Sequence, residues 1–152
     1  MGRRDGLSHG RGISIFEAGQ LPLQAAQFDF IVGIIPGRAE YRIHVFAPPN
    51  EEPRIIATQQ KIGILNNPSL IRNHDSGVIY STQELRMSKG GIERAKDWSI
   101  KTVLACGLNF GAVDLLQSED GLLYVLECNS APGTSSLPIY SAYKEEFRKL
   151  LV

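Results

Sequence analysis

The chain has 152 residues, enough for one domain with a buried core. Its hydrophobic share of 43%, charged share of 21% and net charge of zero are ordinary globular values, and they leave no electrostatic footprint for nucleic acid or a membrane surface. No apolar run approaches transmembrane length. Arg3 and Arg4 are not followed by the apolar stretch of a signal peptide, and residue 6 is Gly where N-myristoylation needs Ser or Thr. Cys106 and Cys128 sit in apolar contexts without CxxC spacing. The expectation is a cytoplasmic protein whose cysteines are small, buried and kept reduced.

Residues 1–12 are rich in Gly, Arg and Ser and read as a mobile loop ahead of a strand over 13–17. Glycines beside arginines can wrap phosphates through backbone N–H groups and charge. The stretch matches neither the P-loop nor the dinucleotide fingerprint, and a solvated tail is the plain alternative. Residues 28–35 are apolar and rich in β-formers, Pro36-Gly37 makes a turn, and 39–47 form a second strand, so the two are expected to pair as a hairpin. Alternation puts Glu40, Arg42 and His44 on one face and Tyr41, Ile43 and Val45 on the core face. A solvated face with a weak surface pair is the plain reading of Glu40 and Arg42.

After a proline-rich turn at 48–53, residues 54–64 read as another strand. Lys61 near its end is ordinarily a snorkelling surface residue. Residues 71–77 crowd Arg72, Asn73, His74, Asp75 and Ser76 into a turn closed by Gly77, before a short strand. Arg72 is planar, always charged and able to bind a phosphoryl oxygen bidentately, whereas His74 reads as polar surface. Gly90-Gly91 precedes a helix over 92–106, whose stripe of Ile92, Ala95, Trp98 or Ser99, Thr102, Val103 and Cys106 places Trp98 in the core. Gly107 is its natural C-terminal cap.

Two apolar runs, 110–117 and 122–127, flank Ser118-Glu119-Asp120-Gly121, a strong hairpin signal. With those four residues as the loop, Gln117 faces Leu122 and Asp114 sits opposite Val125. One face then carries Ala112, Asp114, Leu116, Leu123, Val125, Glu127 and Asn129. Both faces are apolar enough to expect burial on both sides. Asp114 and Glu127 become diagonal neighbours, with Cα atoms about 7–8 Å apart. Two carboxylates converging in a buried place share a proton or hold a cation, and oxygen-only ligands favour Mg²⁺ or Mn²⁺. An ordinary hairpin with its acids in solvent is the alternative. Beyond Asn129 the chain turns at Ala131-Pro132-Gly133. Ser135, Ser136 and Pro138 then open a helix with the stripe Leu137, Tyr140, Tyr143, Phe147, Leu150 and Leu151. The exposed N–H groups of that helix start attract an anion.

Asp114, a hairpin, and Leu126-Glu127-Cys128-Asn129-Ser130-Ala131-Pro132-Gly133 resemble the metal-binding end of the ATP-grasp ligases, whose pattern is an Asp, a Glu-x-Asn and a Pro-Gly turn. Glu40-Tyr41-Arg42-Ile43-His44-Val45-Phe46 is similar to the strand with an acidic–x–Arg element in members that couple a carboxylate to an amine, phage-type members included. The resemblance implies an α+β ATP-grasp fold, its C-terminal subdomain having a mostly antiparallel sheet packed by helices. It covers nearly all of the chain as one domain, 1–152, that lacks the upstream part of a full enzyme. It implies ATP as ligand and Mg²⁺, with Mn²⁺ as the alternative, held by Asp114, Glu127 and Asn129. Arg42 and Arg72 would face the transferred phosphoryl group, with Asn73 orienting it or binding metal. Ser8, His9, Gly10, Arg11 and Gly12 resemble the glycine loop over the triphosphate. Phe30 and Ile31 would lie near the adenine, Glu40 and Lys61 would serve the nucleotide, and Gly133, Thr134 and Ser135 would bind the acceptor.

The implied reaction is a carboxylate–amine, or carboxylate–thiol, ligation through an acylphosphate, on a small-molecule or peptide carboxylate and an amine acceptor. The chain departs from the D-alanine-type ligases at Ala112, where they place an Arg; Arg72 would replace it, as in the glutamate-adding branch. The chain would be a fragment, or a minimal relative whose upstream part another chain supplies. A non-catalytic nucleotide- or protein-binding module and a kinase-like phosphotransferase stand beside the ligase reading.

Overall fold

The computed structural model describes residues 2–3, 13–17, 19, 27–63, 78–83 and 85–151. They fall into two compact units, the first spanning Met1–Pro36 and Ile62–Ile79, the second Gly37–Lys61 and Tyr80–Val152. In the first, three two-residue strands, β1 (Gly2–Arg3), β2 (Ile13–Ser14) and β3 (Phe30–Ile31), form an antiparallel sheet in the order β2-β1-β3. Gly2 and Arg3 are therefore strand rather than loop, and the strand expected over 13–17 is confined to its first two residues. The expected hairpin between 28–35 and 39–47 does not form: β3 pairs with β1 instead, and the residues between Ile31 and Gly37 carry no strand.

The second unit contains most of a five-stranded sheet. Its strands are β4 (Gly37–Phe46), β5 (Arg54–Gly63), β6 (Val78–Ser81), β7 (Phe110–Ser118) and β8 (Leu123–Asn129), in the order β6-β5-β4-β7-β8. Its described pairings, β4 with β5 and with β7, and β7 with β8, are antiparallel. The sheet is packed by α1 (Lys89–Ala105) and α2 (Leu137–Lys149), giving the expected α+β architecture. No helix among the described residues is long and apolar enough to cross a membrane.

Alternation along β4 decides which helix covers which face. Ala39, Tyr41, Ile43 and Val45 join Val113, Leu115 and Leu123 in a core that includes Ala95 and Val103 of α1. Phe46 packs with Ile139 and Tyr143 of α2, against Ile56, Ala57 and Phe110. Helix α1 begins earlier than expected. Ser88 is its cap, its hydroxyl accepting from the Gly91 N–H at 3.2 Å, so Gly90 and Gly91 lie inside the first turn. Its buried residues are Gly91, Ala95, Ser99 and Val103, a strict four-residue repeat. Ser99 is fully buried because its hydroxyl bonds the Ala95 carbonyl at 2.8 Å, and Trp98 is turned outward at 43% exposure, contrary to the core placement expected for it. The helix ends as expected. Gly107 has φ +67°, its N–H bonds the Leu104 carbonyl, and the Leu108 N–H bonds that of Val103, which together make a Schellman cap.

Helix α2 turns Tyr143 and Phe147 of the expected apolar stripe toward the sheet, but the rest of the inward face differs. Ile139, Tyr143 and Glu146 are buried, whereas Leu137 and Leu151 are 74% and 85% exposed. Glu146 tolerates its position because Arg54 and Lys149 bond both of its oxygens, at 2.6–2.8 Å.

The β7–β8 hairpin carries the largest correction of register. The Gly121 N–H bonds the Ser118 carbonyl, the Ser118 N–H bonds the Leu122 carbonyl, and Gly121 has φ +86°. This is a three-residue loop that ends on a left-handed glycine, and not the four-residue loop expected. Gln117 consequently faces Leu123, and Leu115 faces Val125. A bulge between Asp114 and Leu115 then skips Leu126 and sets Asp114 directly opposite Glu127. Leu123 and Val125 move to the face opposite the acids. β7 is buried on both sides, but β8 is an edge strand with Val125, Leu126 and Glu127 exposed, so two-sided burial holds for one strand of the pair only.

Candidate functional site

The face of the sheet on which α2 packs carries a row of charges across four adjacent strands. In register, Arg42 of β4 lies opposite Asp114 of β7, and Asp114 lies opposite Glu127 of β8. On the other side Glu40 faces Lys61 of β5. Arg42 donates from Nε to Asp114 Oδ1 at 2.6 Å and from Nη2 to Oδ2 at 2.7 Å. Lys61 Nζ reaches Asp114 Oδ2 at 3.0 Å and Glu40 Oε2 at 3.1 Å. Arg42 Nη2 stands 3.8 Å from Glu127 Oε1, which accepts the Asn129 amide at 3.1 Å.

This is no solvated strand face. The side chains of Asp114, Lys61 and Glu40 are 3%, 8% and 11% exposed. Glu127, at 51%, is the open side of the cluster. Burial pushes the Asp114 carboxyl up, but the Arg42 hydrogen bonds and the charges of Lys61 and Arg42 outweigh it and hold the group below the usual carboxylate range. Burial likewise opposes the charge on Lys61, yet Asp114 and Glu40 raise its pKa. The cations are thereby fixed as cations and the carboxylate as an anion.

Asp114, Glu127 and Asn129 come together as expected, two carboxylates and an amide on neighbouring positions of one face. Their donors are all oxygens, which suits a hard divalent cation. A carboxylate offers about four lone-pair directions; Asp114 uses three of them on Arg42 and Lys61, leaving one on Oδ1, and Glu127 has a half-exposed carboxylate. The set therefore fits a hard cation entering from the Glu127 side.

Tyr80 of β6 was not singled out by any sequence signal. Its ring lies 4.8 Å from the Arg42 guanidinium and 5.9 Å from the Lys61 ammonium, so it walls the cluster and stacks on its cations. A second group missed in the sequence is Gln59–His44–Tyr143. His44 is completely buried, with Nε2 3.0 Å from Gln59 Oε1 and Nδ1 3.1 Å from the Tyr143 hydroxyl. That hydroxyl also lies 3.3 Å from the Gly111 carbonyl, and the His44 tautomer decides which of the two receives its single proton. The alternation that placed His44 beside Arg42 was legible; its partners on another strand and on α2 were not. Burial lowers the His44 pKa and raises that of Tyr143, so both favour their neutral forms. Tyr143→Phe keeps the ring among Phe46, Phe110 and Phe147 but removes the hydroxyl. The expected cost is about 1–3 kcal/mol in urea unfolding, because His44 and the Gly111 carbonyl each lose a buried partner.

The other sequence candidates are placed as follows. Gly133, Thr134 and Ser135 form the exposed link between β8 and α2. Phe30 and Ile31 are in β3 of the first unit, 49% and 40% exposed. Arg11, Gly12, Arg72, Asn73 and His74 lie outside the described residues. Cys106 and Cys128 are free thiols, but Cys106 is exposed rather than buried, since it occupies the cap position of α1.

No family model matches the chain. A probable alpha-L-glutamate ligase of Haemophilus influenzae is 34% identical over 122 residues, covering 80% of this chain and 35% of its own length. Among solved structures, D-alanyl-alanine synthetase A of Vibrio cholerae aligns with a TM-score of 0.55 at 12% identity, over 74% of this chain and 34% of that one. The ATP-grasp ligase PsnB, complexed with a phosphomimetic variant of its minimal precursor, Mg and ADP, aligns with a TM-score of 0.50 at 13% identity, over 87% of this chain and 40% of that one. The chain thus spans about a third of the length of the curated relative it matches.

Proposed function

We propose that this chain, which belongs to the ATP-grasp superfamily, is the metal- and phosphate-handling part of an ATP- and Mg²⁺-dependent ligase that joins a carboxylate to an amine or thiol through an acylphosphate. What carries the reading is the register row Arg42–Asp114–Glu127, which sets an Arg between two strands and a carboxylate pair at the sheet edge. Asp114, Glu127 and Asn129 would hold the cation. Mg²⁺ or Mn²⁺ bound there would neutralise charge on the phosphate oxygens. Arg42, freed from part of its bond to Asp114, would turn toward the transferred phosphoryl group, and Arg72 would face it with Asn73 as its orienting partner. Lys61 and Glu40 would fix the nucleotide side of the cluster, with Phe30 and Ile31 at the adenine and Arg11 and Gly12 over the phosphates. Gly133, Thr134 and Ser135 would receive the acceptor. No side chain of this set forms a covalent bond; all position groups and offset charge. The acid and the amine are a small-molecule or peptide carboxylate and an amine acceptor, met in the cytoplasm. The chain would act as a single C-terminal domain together with an upstream part.

One observation favours a second reading, a non-catalytic nucleotide- or partner-binding module. Both Asp114 oxygens already accept from Arg42 or Lys61, so the Asp114 charge is offset without a metal. Calorimetric titration of Mg·ATP into the chain, beside Glu127→Gln, tests the proposal. Binding by the wild type and a loss of at least about tenfold in the variant, equal to about 1.4 kcal/mol, is expected. Binding that is equal in both overturns the metal assignment, and absence of binding in both overturns nucleotide handling by this chain.

A further inference from the structure

Taking the proposed metal reading of the site as premise, we infer that Arg42 is a resident competitor for its carboxylates, so that a divalent cation enters only with a polyanion that takes up the guanidinium. Sheet register fixes the competition. Arg42, Asp114 and Glu127 occupy one row on three adjacent strands, so their side chains rise side by side on one face. Arg42 Nε and Nη2 hold the two oxygens of Asp114 at 2.6 and 2.7 Å, and Nη2 also stands 3.8 Å from Glu127 Oε1. The guanidinium thus bridges the two carboxylates that would hold the cation. Lys61 differs in this respect. It shares Asp114 Oδ2 but keeps Glu40, which is not a proposed metal ligand. Among the described residues, a cation at the site therefore takes both anions from Arg42 and only one from Lys61.

Charge decides the consequence. In this cluster three carboxylates, Glu40, Asp114 and Glu127, stand against two cations, Arg42 and Lys61, a formal excess of one negative charge. A bare dication exceeds that excess, and it would sit beside a guanidinium that has just lost its anions. Like charges brought together away from water repel strongly unless a partner arrives. The same dication carried on phosphate oxygens brings that partner. Arg42 then exchanges Asp114 for a phosphate, whose oxygens its planar fork can hold bidentately. The Tyr80 ring, 4.8 Å from Arg42 Cζ, supports the guanidinium on the side away from this exchange of anions. Metal and polyanion are thereby coupled through one side chain, each lowering the cost of admitting the other.

The test titrates Mn²⁺ alone, and separately Mg·ATP, into the wild-type chain and into Arg42→Gln, by calorimetry. Loss of the guanidinium is expected to tighten Mn²⁺ binding by at least about tenfold, within the usual range of coupling between two ligands. The same change is expected to weaken Mg·ATP binding by a similar factor. Opposite signs of the two changes identify competition. An Arg42 that only supports the fold would weaken both, and one that only contacts phosphate would leave Mn²⁺ binding unchanged; either result overturns the inference. Arg42→Lys keeps a charge beside Asp114 but cannot take both oxygens in a fork, and its Mn²⁺ affinity should fall between those of wild type and Arg42→Gln. Where Arg42→Gln shows no cooperative urea unfolding, an Arg42→Lys chain that binds Mn²⁺ no tighter than wild type overturns the inference by itself. Failure of all three chains to bind either Mn²⁺ or Mg·ATP overturns the metal reading and the inference with it, whereas equal Mn²⁺ binding by all three overturns the inference alone.

Discussion

Asp114→Ala is expected to destabilise the chain by about 3–5 kcal/mol, the range for removing one partner of a buried ion pair. The carboxylate is 2% exposed and accepts three charged hydrogen bonds. Without it, among the described residues, Arg42 retains Glu127, 3.8 Å away and half exposed, Lys61 retains Glu40, and both retain the Tyr80 ring. Urea unfolding at neutral pH measures the loss, and Asp114→Asn, which preserves shape and can still accept, should cost less. The same group predicts the acid limb of the stability curve. Its folded pKa is depressed, so its contribution is fully present above the unfolded carboxylate value of about 3.9. It is lost as pH falls through the lower folded value. Between neutral pH and that region the wild type should lose stability more steeply than Asp114→Asn; parallel curves would contradict the ion-pair account. Because Asp114→Ala perturbs folding as well as the site, loss of nucleotide binding is better read from Glu127→Gln, whose side chain is exposed and weakly bonded.

Leu115→Ala and Trp98→Ala should differ sharply, against what residue size alone indicates. Leu115 is fully buried on β7, within the cluster formed by Tyr41, Ile43, Val103 and Val113. Its truncation leaves a cavity between sheet and α1, costing about 2–5 kcal/mol. Trp98 is 43% exposed on the outer side of α1, and its neighbour Ser99 takes the inward position. Its truncation should cost about 1 kcal/mol or less, as for surface substitutions. Thermal or urea unfolding of the two variants checks the ranking. A Trp98→Ala cost as large as that of Leu115→Ala would mean that α1 packs with the other face inward.

Much of this protein was legible in order along the chain. Alternation over residues 40–46 separates Glu40, Arg42 and His44 from Tyr41, Ile43 and Val45, because a strand has period two wherever it lies. The Ser118–Gly121 turn signal located the β7–β8 hairpin, Gly107 located the end of α1, and the carboxylates Asp114 and Glu127 fell on one face. These features depend on local backbone geometry and on residue type, so the amino-acid order by itself determines them.

Tertiary structure decided what lies between strands distant in sequence. The shorter hairpin loop shifts the register by one residue and the bulge at Leu126 by a second, so Asp114 faces Glu127 in place of Val125 and diagonal acids become a directly opposed pair, which no local preference specifies. The helical stripe allowed either Trp98 or Ser99 inward, and the close approach of α1 to the sheet selected the smaller residue. Lys61, legible as a surface lysine, is buried because Glu40 and Asp114 converge on it from two other strands. His44 found Gln59 fifteen residues away and Tyr143 ninety-nine away. The physical reason is shared by Asp114, Lys61 and His44. A buried charge or hydroxyl is stable only with its partners, and those partners are supplied by sheet order and helix docking, which are properties of the assembled chain.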